Sequence, residues 1–171
     1  MCKESETPRH VVISIANQQL QLFEGEHRLK CYSISSAKNG AGEMAGSGCT
    51  PRGLHIIRAM IGDGAAENSV FVGRRATGEI YSSELAQKNP QRDWVLTRIM
   101  WLSGLEKGKN RMERVDTMRR YIYIHGCPDE LPMGVPLSHG CIRMRNHDIV
   151  ELFSLLQEGR GCKYINVQVS E

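Results

Sequence analysis

One stretch of this sequence carries the residue types of a thiol enzyme. It reads Ile124-His125-Gly126 and then, after a proline-bearing interval, Ser138-His139-Gly140-Cys141-Ile142-Arg143. The thiolate is the attacking form of cysteine, and a free thiol keeps its proton up to a pKa of about 8.5. An imidazole within hydrogen-bond reach can take that proton as attack begins. Cys141 is therefore the candidate nucleophile and His125 its candidate base, provided the intervening chain folds back over the end of the strand that carries His125. Gly140 allows a tight turn beside the thiol. Such a turn can aim the amides of His139, Gly140 and Cys141 at one oxygen, forming an oxyanion hole. Arg143 is a permanent cation suited to a substrate carboxylate.

Two blander readings compete. A buried cysteine, or a histidine after a strand, commonly only packs or satisfies a hydrogen bond. Here two histidines, a serine and a cysteine fall together among glycines, in loop sequence outside any apolar periodicity, which favours chemistry. The second competitor is zinc, with His125-x-Cys127 and His139-x-Cys141 as ligand pairs. One intervening residue is tight for joint chelation, since structural zinc sites space their ligands more widely. The expectation is no metal and no cofactor.

The elements that must position these residues are mostly strands. Val11, Ile13 and Ile15 alternate with Val12 and Ser14, and Leu20 and Leu22 with Gln19 and Gln21. Asn17-Gln18 and Glu24-Gly25 read as turns, and Leu29–Ile34 as a further strand. The Gly, Ser and Ala content of 37–53 marks a loop, followed by a strand over Leu54–Ile57. Trp94–Leu102 is apolar enough for a strand. Ser103–Arg119 is charged and glycine-bearing and reads as an exposed excursion, a lid or a substrate wall. Tyr121–Ile124 reads as a strand running into His125-Gly126, and Cys127–Leu137, with Pro128, Pro132 and Pro136, as a loop. Asn146 reads as a helix N-cap with Asp148 in the first turn. Ile149, Phe153 and Leu156 recur at helical spacing up to Gly159, a C-terminal stop, and Lys163–Val169 closes as a strand.

The whole chain limits the function classes. Its 171 residues fit one domain with a single core. Hydrophobic residues at 40% and charged residues at 24% exclude a disordered chain. The net charge of +3 comes from basic residues interleaved with acidic ones, and aromatics are only 6%, so no stripe for nucleic acid is formed. No window reaches the roughly 18–20 apolar residues of a membrane-spanning helix, so no membrane insertion is expected. Six cysteines, at 2, 31, 49, 127, 141 and 162, read as reduced thiols rather than a disulfide scaffold.

At His125-Gly126, Gly134 and Ser138-His139-Gly140-Cys141-Ile142-Arg143 the sequence resembles the YkuD family, the L,D-transpeptidase catalytic domain. Thr50-Pro51-Arg52-Gly53 resembles that family's Thr-Pro-x-Gly turn, and the likeness runs over 9–169 as one domain. The resemblance implies a mostly β sandwich or barrel-like fold with one clear C-terminal helix. It implies Cys141 as nucleophile, His125 as base, and His139 and Gly140 lining the oxyanion hole. Arg143, Ser138 and Gly126 would hold the site or the substrate. The substrate implied is the peptidoglycan stem tetrapeptide, or a muropeptide carrying it, cut before the terminal D-Ala. Cys127 departs from the family, which usually has Thr or Ser there; a small buried substitute is expected, rather than a second thiol that traps Cys141.

The sequence opens Met-Cys-Lys-Glu without an apolar run of signal length. If residue 1 is the native start, the expected compartment is the cytoplasm; if a signal was trimmed, it is the periplasm. A cytoplasmic member is expected to hydrolyse, as an L,D-carboxypeptidase of murein recycling. The alternatives are an L,D-transpeptidase that cross-links the wall, and a module that binds stem peptides or zinc without turnover.

Overall fold

Period-two alternation puts Val11, Ile13, Leu20 and Leu22 on one fully buried face. There β1 (Arg9–Ser14) runs antiparallel to β2 (Gln19–Glu24). The computed structural model describes residues 7–158 and 164–171. β3 (His27–Ser33) continues the meander, with Gln18 and Gly25 at positive φ in the two turns. On its other side β1 pairs in parallel with β10 (Asn166–Ser170), which hands the sheet on to β4 (Gly53–Ile61). β4 pairs with β7 (Val95–Gly104), the strand that organises the functional half. Along its length β7 also meets β5 (Ser69–Val72) and β8 (Tyr123–Gly126). β6 (Arg75–Ile80) forms a hairpin with β5, and β9 (Ile142–Met144) pairs in parallel with β8.

The result is one mixed ten-stranded sheet. Among the described residues two α-helices join it: α1 (Ser83–Lys88) and α2 (Asn146–Glu158). α2 buries Ile149, Leu152, Phe153 and Leu156 in the same core as the inward residues of β1, β2 and β7–β10. The expected mostly β fold with one clear C-terminal helix is therefore the observed one. No helix among the described residues is long and apolar enough to cross a membrane.

Several local expectations need correction. The strand carrying His125 begins at Tyr123, because Tyr121 stands at φ 56° and cannot be extended; it runs on through His125 and Gly126. Asn146 lies inside the first turn of α2, and its side chain faces inward instead of capping. The hairpin β5–β6 and α1, whose start is capped by the Ser82 hydroxyl accepting from the Leu85 amide at 3.1 Å, were not anticipated. Gly159, Lys163 and the cysteines at 2 and 162 lie outside the described residues. Cys31, Cys49, Cys127 and Cys141 are free thiols.

The charged segment 103–119 is exposed over much of its length, as expected, including Lys107, Lys109 and Arg111, but it is anchored at particular residues. Ser103 and Gly104 end β7, and Asn110 and Thr117 are fully buried. The Asn110 amide donates to the carbonyls of Arg52 and Leu54, both at 3.0 Å, and its oxygen accepts from the Glu106 amide. His55 on β4 lies between the Gly53 carbonyl and the Thr117 hydroxyl, 3.0 Å from each. The segment is thus tied to the edge of the sheet by satisfied buried polar groups.

Burial disfavours charge on His55 and pushes its pKa down to about 4, against the opposing pull of the Gly53 carbonyl. An unfolded histidine takes its proton below about 6.5. Stability should therefore fall as the pH drops between these two values, by up to about 3 kcal/mol. Urea unfolding at pH 7.5 and pH 4.5 should show a clearly smaller acid loss in His55→Gln than in the unsubstituted protein. Equal losses would remove His55 as a source of acid lability.

Candidate active site

The short parallel pair β8–β9 builds the site. Its register sets Ile124 beside Ile142, His125 beside Arg143 and Gly126 beside Met144. Alternation then brings Tyr123 and His125 to one face of β8, with Cys141 and Arg143 on the same side from β9 and its lead-in. Cys141 packs against the cluster of Phe71, Ile99 and Tyr123.

His125 is buried, and its Nδ1 lies 2.6 Å from the Gly126 carbonyl oxygen. That carbonyl can only accept, so Nδ1 carries the hydrogen and Nε2 keeps its lone pair. Burial lowers the His125 pKa below its ordinary value, with the Gly126 carbonyl and Asp93 pulling upward and Arg143 downward. Gly126 itself has no access to a ligand. A Cβ there would stand 2.6 Å from the Leu96 carbonyl and from Asn146 Oδ1. Its function is to let β8 pass closely and to fix the His125 tautomer.

The Cys141 thiol accepts from the Tyr123 amide at 3.3 Å and donates to the Tyr121 carbonyl at 3.4 Å. Burial pushes its pKa up to about 11, the Tyr123 amide opposing. At neutral pH the site therefore holds a neutral thiol and a neutral imidazole, not a preformed ion pair.

The turn before Cys141 is braced from within. The Ser138 hydroxyl donates to the Cys141 carbonyl and accepts from the Gly140 amide. Gly140 adopts φ 137°, and its carbonyl accepts from the Thr50 hydroxyl at 2.9 Å. Thr50 also takes the Ala37 amide at 3.0 Å, so the Thr-Pro-x-Gly turn supports the nucleophile turn from below. Expected to touch substrate, Ser138 is instead buried, and the Gly140 amide is already engaged. Among the described residues, the amides of His139 and Cys141 meet no acceptor and remain for an oxyanion.

Arg143 was expected as a fixed cation that holds the site or a substrate carboxylate. It is buried, donates to Asp93 at 2.9 Å and points a second nitrogen at the Leu137 carbonyl. Asp93 also meets His139 Nδ1 at 3.3 Å. Burial would raise the Asp93 carboxyl, but His125, Arg143 and the His139 bond hold it below the usual carboxylate range. Arg143 is thus a positioning group. Asp93 escaped the sequence reading because no local pattern marks a lone Asp between Arg92 and Trp94.

A cleft of about 610 Å³ opens beside this trio, lined by Tyr81, Trp94, Leu131, Leu137, His139 and Arg143 among others. That volume is within the ~300–1,000 Å³ of small-ligand clefts. Arg120 donates to the carbonyls of Gly42, Glu43 and Cys49. Cys127 is buried with its thiol against the Met144 carbonyl, and burial pushes its pKa up to about 11. Among the described residues no group of three or more His, Cys, Asp or Glu is arranged to hold a metal ion.

Comparison with known proteins agrees with this architecture. The profile of the YkuD family, described as the L,D-transpeptidase catalytic domain, matches residues 8–169. No curated protein matches the chain. Among solved structures, an L,D-transpeptidase from Mycobacterium smegmatis is similar with a TM-score of 0.57 at 14% identity, covering 96% of this chain and 59% of that one. L,D-transpeptidase 3 from Mycobacterium tuberculosis, in complex with a faropenem-derived adduct, gives 0.56 at 15%, covering 96% and 60%. Bdellovibrio bacteriovorus Bd1075 gives 0.59 at 14%, covering 99% and 50%. The chain therefore spans about half to three-fifths of the length of these structures, and at such identity the likeness is one of fold.

Alkylation tests the resting electrostatics. Iodoacetamide labelling at Cys141, followed by peptide mass spectrometry against pH, should rise only above the range of a free thiol, toward an inflection near 11. An inflection below pH 7 would show a preformed thiolate and overturn the neutral pair.

Proposed function

Since the chain belongs to the YkuD family of L,D-transpeptidase catalytic domains, we propose that it is a cysteine acyl-transfer enzyme acting on peptidoglycan stem peptides, with water as acceptor. It is then an L,D-carboxypeptidase that removes the terminal D-Ala from a stem tetrapeptide or muropeptide, in cytoplasmic murein recycling. The observation that carries the reading is the shared face of β8 and β9, where the register sets His125 beside Arg143, two residues past Cys141, and the Gly126 carbonyl holds His125 Nδ1 so that Nε2 keeps its lone pair.

His125 Nε2 takes the Cys141 proton as Sγ attacks the carbonyl before D-Ala, and the amides of His139 and Cys141 hold the oxyanion. The C–N bond then breaks, His125 returns the proton to the leaving amine, and a thioester remains on Cys141. Water, deprotonated by the same imidazole, attacks the thioester. The peptide leaves as a carboxylic acid and the thiol is restored. Asp93 and Arg143 compensate each other beside His125, so neither imposes a net charge on the imidazole.

The cleft at His139 and Arg143 suits the acyl half of the stem. The second reading is L,D-transpeptidation, in which a stem-peptide amine takes the acyl group; it is supported by the name borne by the M. smegmatis and M. tuberculosis structures.

Incubation with a stem tetrapeptide, followed by mass spectrometry, separates the two. Loss of one D-Ala without dimer supports hydrolysis. A dimer, or exchange of added D-amino acid into the terminal position, makes the protein a transpeptidase. No product at all would sink both. Cys141→Ala should be inactive yet folded. It should also fail to take up the penem mass that the unsubstituted protein gains, by analogy with the faropenem adduct of the relative.

His125→Asn should lower kcat/KM by roughly 10²–10⁴-fold, the usual worth of a general base. In the unsubstituted protein the acid limb of kcat/KM should inflect below 6.5, because His125 must be neutral and burial lowers its pKa. An acid limb above 6.5 would argue against His125 as the base.

A further inference from the structure

The arginines near the nucleophile are nearly all engaged. Arg143 is paired with Asp93, Arg92 with Glu79, and Arg120 with backbone carbonyls. Arg74 differs. It lies in the two-residue turn between β5 and β6, where Val72 pairs with Arg75 and both Gly73 (φ 54°) and Arg74 (φ 65°) are left-handed. This is the type I′ geometry, in which glycine, asparagine and aspartate are the favoured residues. A long side chain held there is a strained choice, of the kind found where a side chain must be aimed.

The Arg74 guanidinium lies 4.5 Å over the Trp101 ring and 5.0 Å over the Tyr121 ring, and donates to the Tyr123 hydroxyl at 3.0 Å. Aromatic faces hold a cation in place without neutralising it. Among the described residues Arg74 has no carboxylate partner, and only one of its nitrogens is bonded to the tyrosine. It is half-exposed, so the rest of its donor fork is open to a ligand.

Its bed is also the wall of the nucleophile. The Tyr121 carbonyl and the Tyr123 amide are the two groups that hold the Cys141 thiol. Tyr123 thus joins the two, its hydroxyl accepting from Arg74 and its amide donating to Cys141 Sγ. An attacked carbonyl sits about 3–3.5 Å from its nucleophile. The carboxylate of the following residue lies about 3.8 Å further on, one residue spacing.

We propose that Arg74 binds the terminal carboxylate of the D-residue that leaves, making free C-terminal stem peptides the preferred substrates. This rests on the stem-peptide reading of the site and names its leaving-group subsite. The acyl half of the peptide then lies toward His139, and the leaving residue toward the aromatic bed.

Calorimetric binding to the inactive Cys141→Ala protein tests this without turnover, using a tetrapeptide with a free C-terminus and its C-terminal amide. The acid should bind at least about tenfold tighter, as expected for a charge-assisted hydrogen bond. Adding Arg74→Gln should remove that preference, and Arg74→Lys should keep part of it. Equal binding of acid and amide to Cys141→Ala, or a preference that survives Arg74→Gln, overturns the proposal. So does a loss seen only when the third residue carries a side-chain carboxylate, tested by placing lysine there, because Arg74 would then read that group. Melting temperature and Cys141 alkylation rate in Arg74→Gln alone, both expected to be unchanged, show whether the aromatic bed is intact. If both fall and both peptides weaken equally, Arg74 is only a support for Tyr123, and the subsite is lost. Selective acid binding with no D-Ala release from the unsubstituted protein would sink the carboxypeptidase and leave the subsite standing.

Discussion

The site depends on three rungs of parallel pairing between β8 and β9. Parallel pairing demands a long crossover and is slightly weaker per residue than antiparallel pairing. β9 is only three residues long, so it cannot hold its register alone. It survives because it is enclosed. Ile142 and Met144 enter the main core, and on the free edge Ser35 exchanges both backbone bonds with Arg143 at 2.9 Å. The crossover, residues 127–141, is itself pinned to the chain after β3. The Gly134 amide donates to the Ile34 carbonyl, the Ser138 amide to the Ser36 carbonyl, and the Ser35 hydroxyl to the Val135 carbonyl. A slip of one residue in this pair would turn His125 or Arg143 away from the thiol.

Asn146 secures the other end of the same unit. Fully buried at the start of α2, it accepts from the Thr97 hydroxyl at 2.6 Å and donates to the Cys127 carbonyl at 3.0 Å. One side chain thus joins the helix, the central strand and the exit of β8. The absence of a Cβ at Gly126 is what lets Asn146 and the Leu96 carbonyl come so close. The buried, satisfied hub explains why this asparagine faces inward although its type and position suggest a cap. A cap would use one of its polar atoms, whereas the hub uses both.

The strands and the core of α2 were legible because alternation and 3.6-residue spacing are written in consecutive residues. The cluster of Cys141, His125 and the turn between them was legible because glycines and prolines mark loops where packing cannot explain a histidine. Partnerships across the fold were not legible. Asp93 meets Arg143 across fifty residues, and nothing around Asp93 announces it. The charges of segment 103–119 marked its exposed part, but its anchors did not stand out: Asn110 and Thr117, which are buried and tie it to the sheet edge, are ordinary polar letters in sequence. Arg74 was invisible because a two-residue turn with Gly-Arg lacks the usual asparagine or aspartate signal. Ser138 and Gly126 were located correctly in the chain but act on the backbone and on His125, since burial leaves them no route to a ligand.

The electrostatics of the resting site follow from one cause. Burial raises the thiol and lowers the imidazole, so both are neutral near pH 7. Charge separation between them is then unfavourable without a further group to stabilise it. A neutral thiol is slow toward oxidants and stray electrophiles, whose reactions need thiolate. Under the proposed reaction it becomes reactive only as a substrate carbonyl meets the amides of His139 and Cys141. Asp93 and Arg143 fit the same logic: as a compensated pair they orient the wall of the cleft without placing a net charge beside His125. Selectivity in the proposed reaction has to come from groups that meet the substrate while leaving the neutral pair undisturbed, which is the part proposed for Arg74, a cation without a carboxylate partner among the described residues.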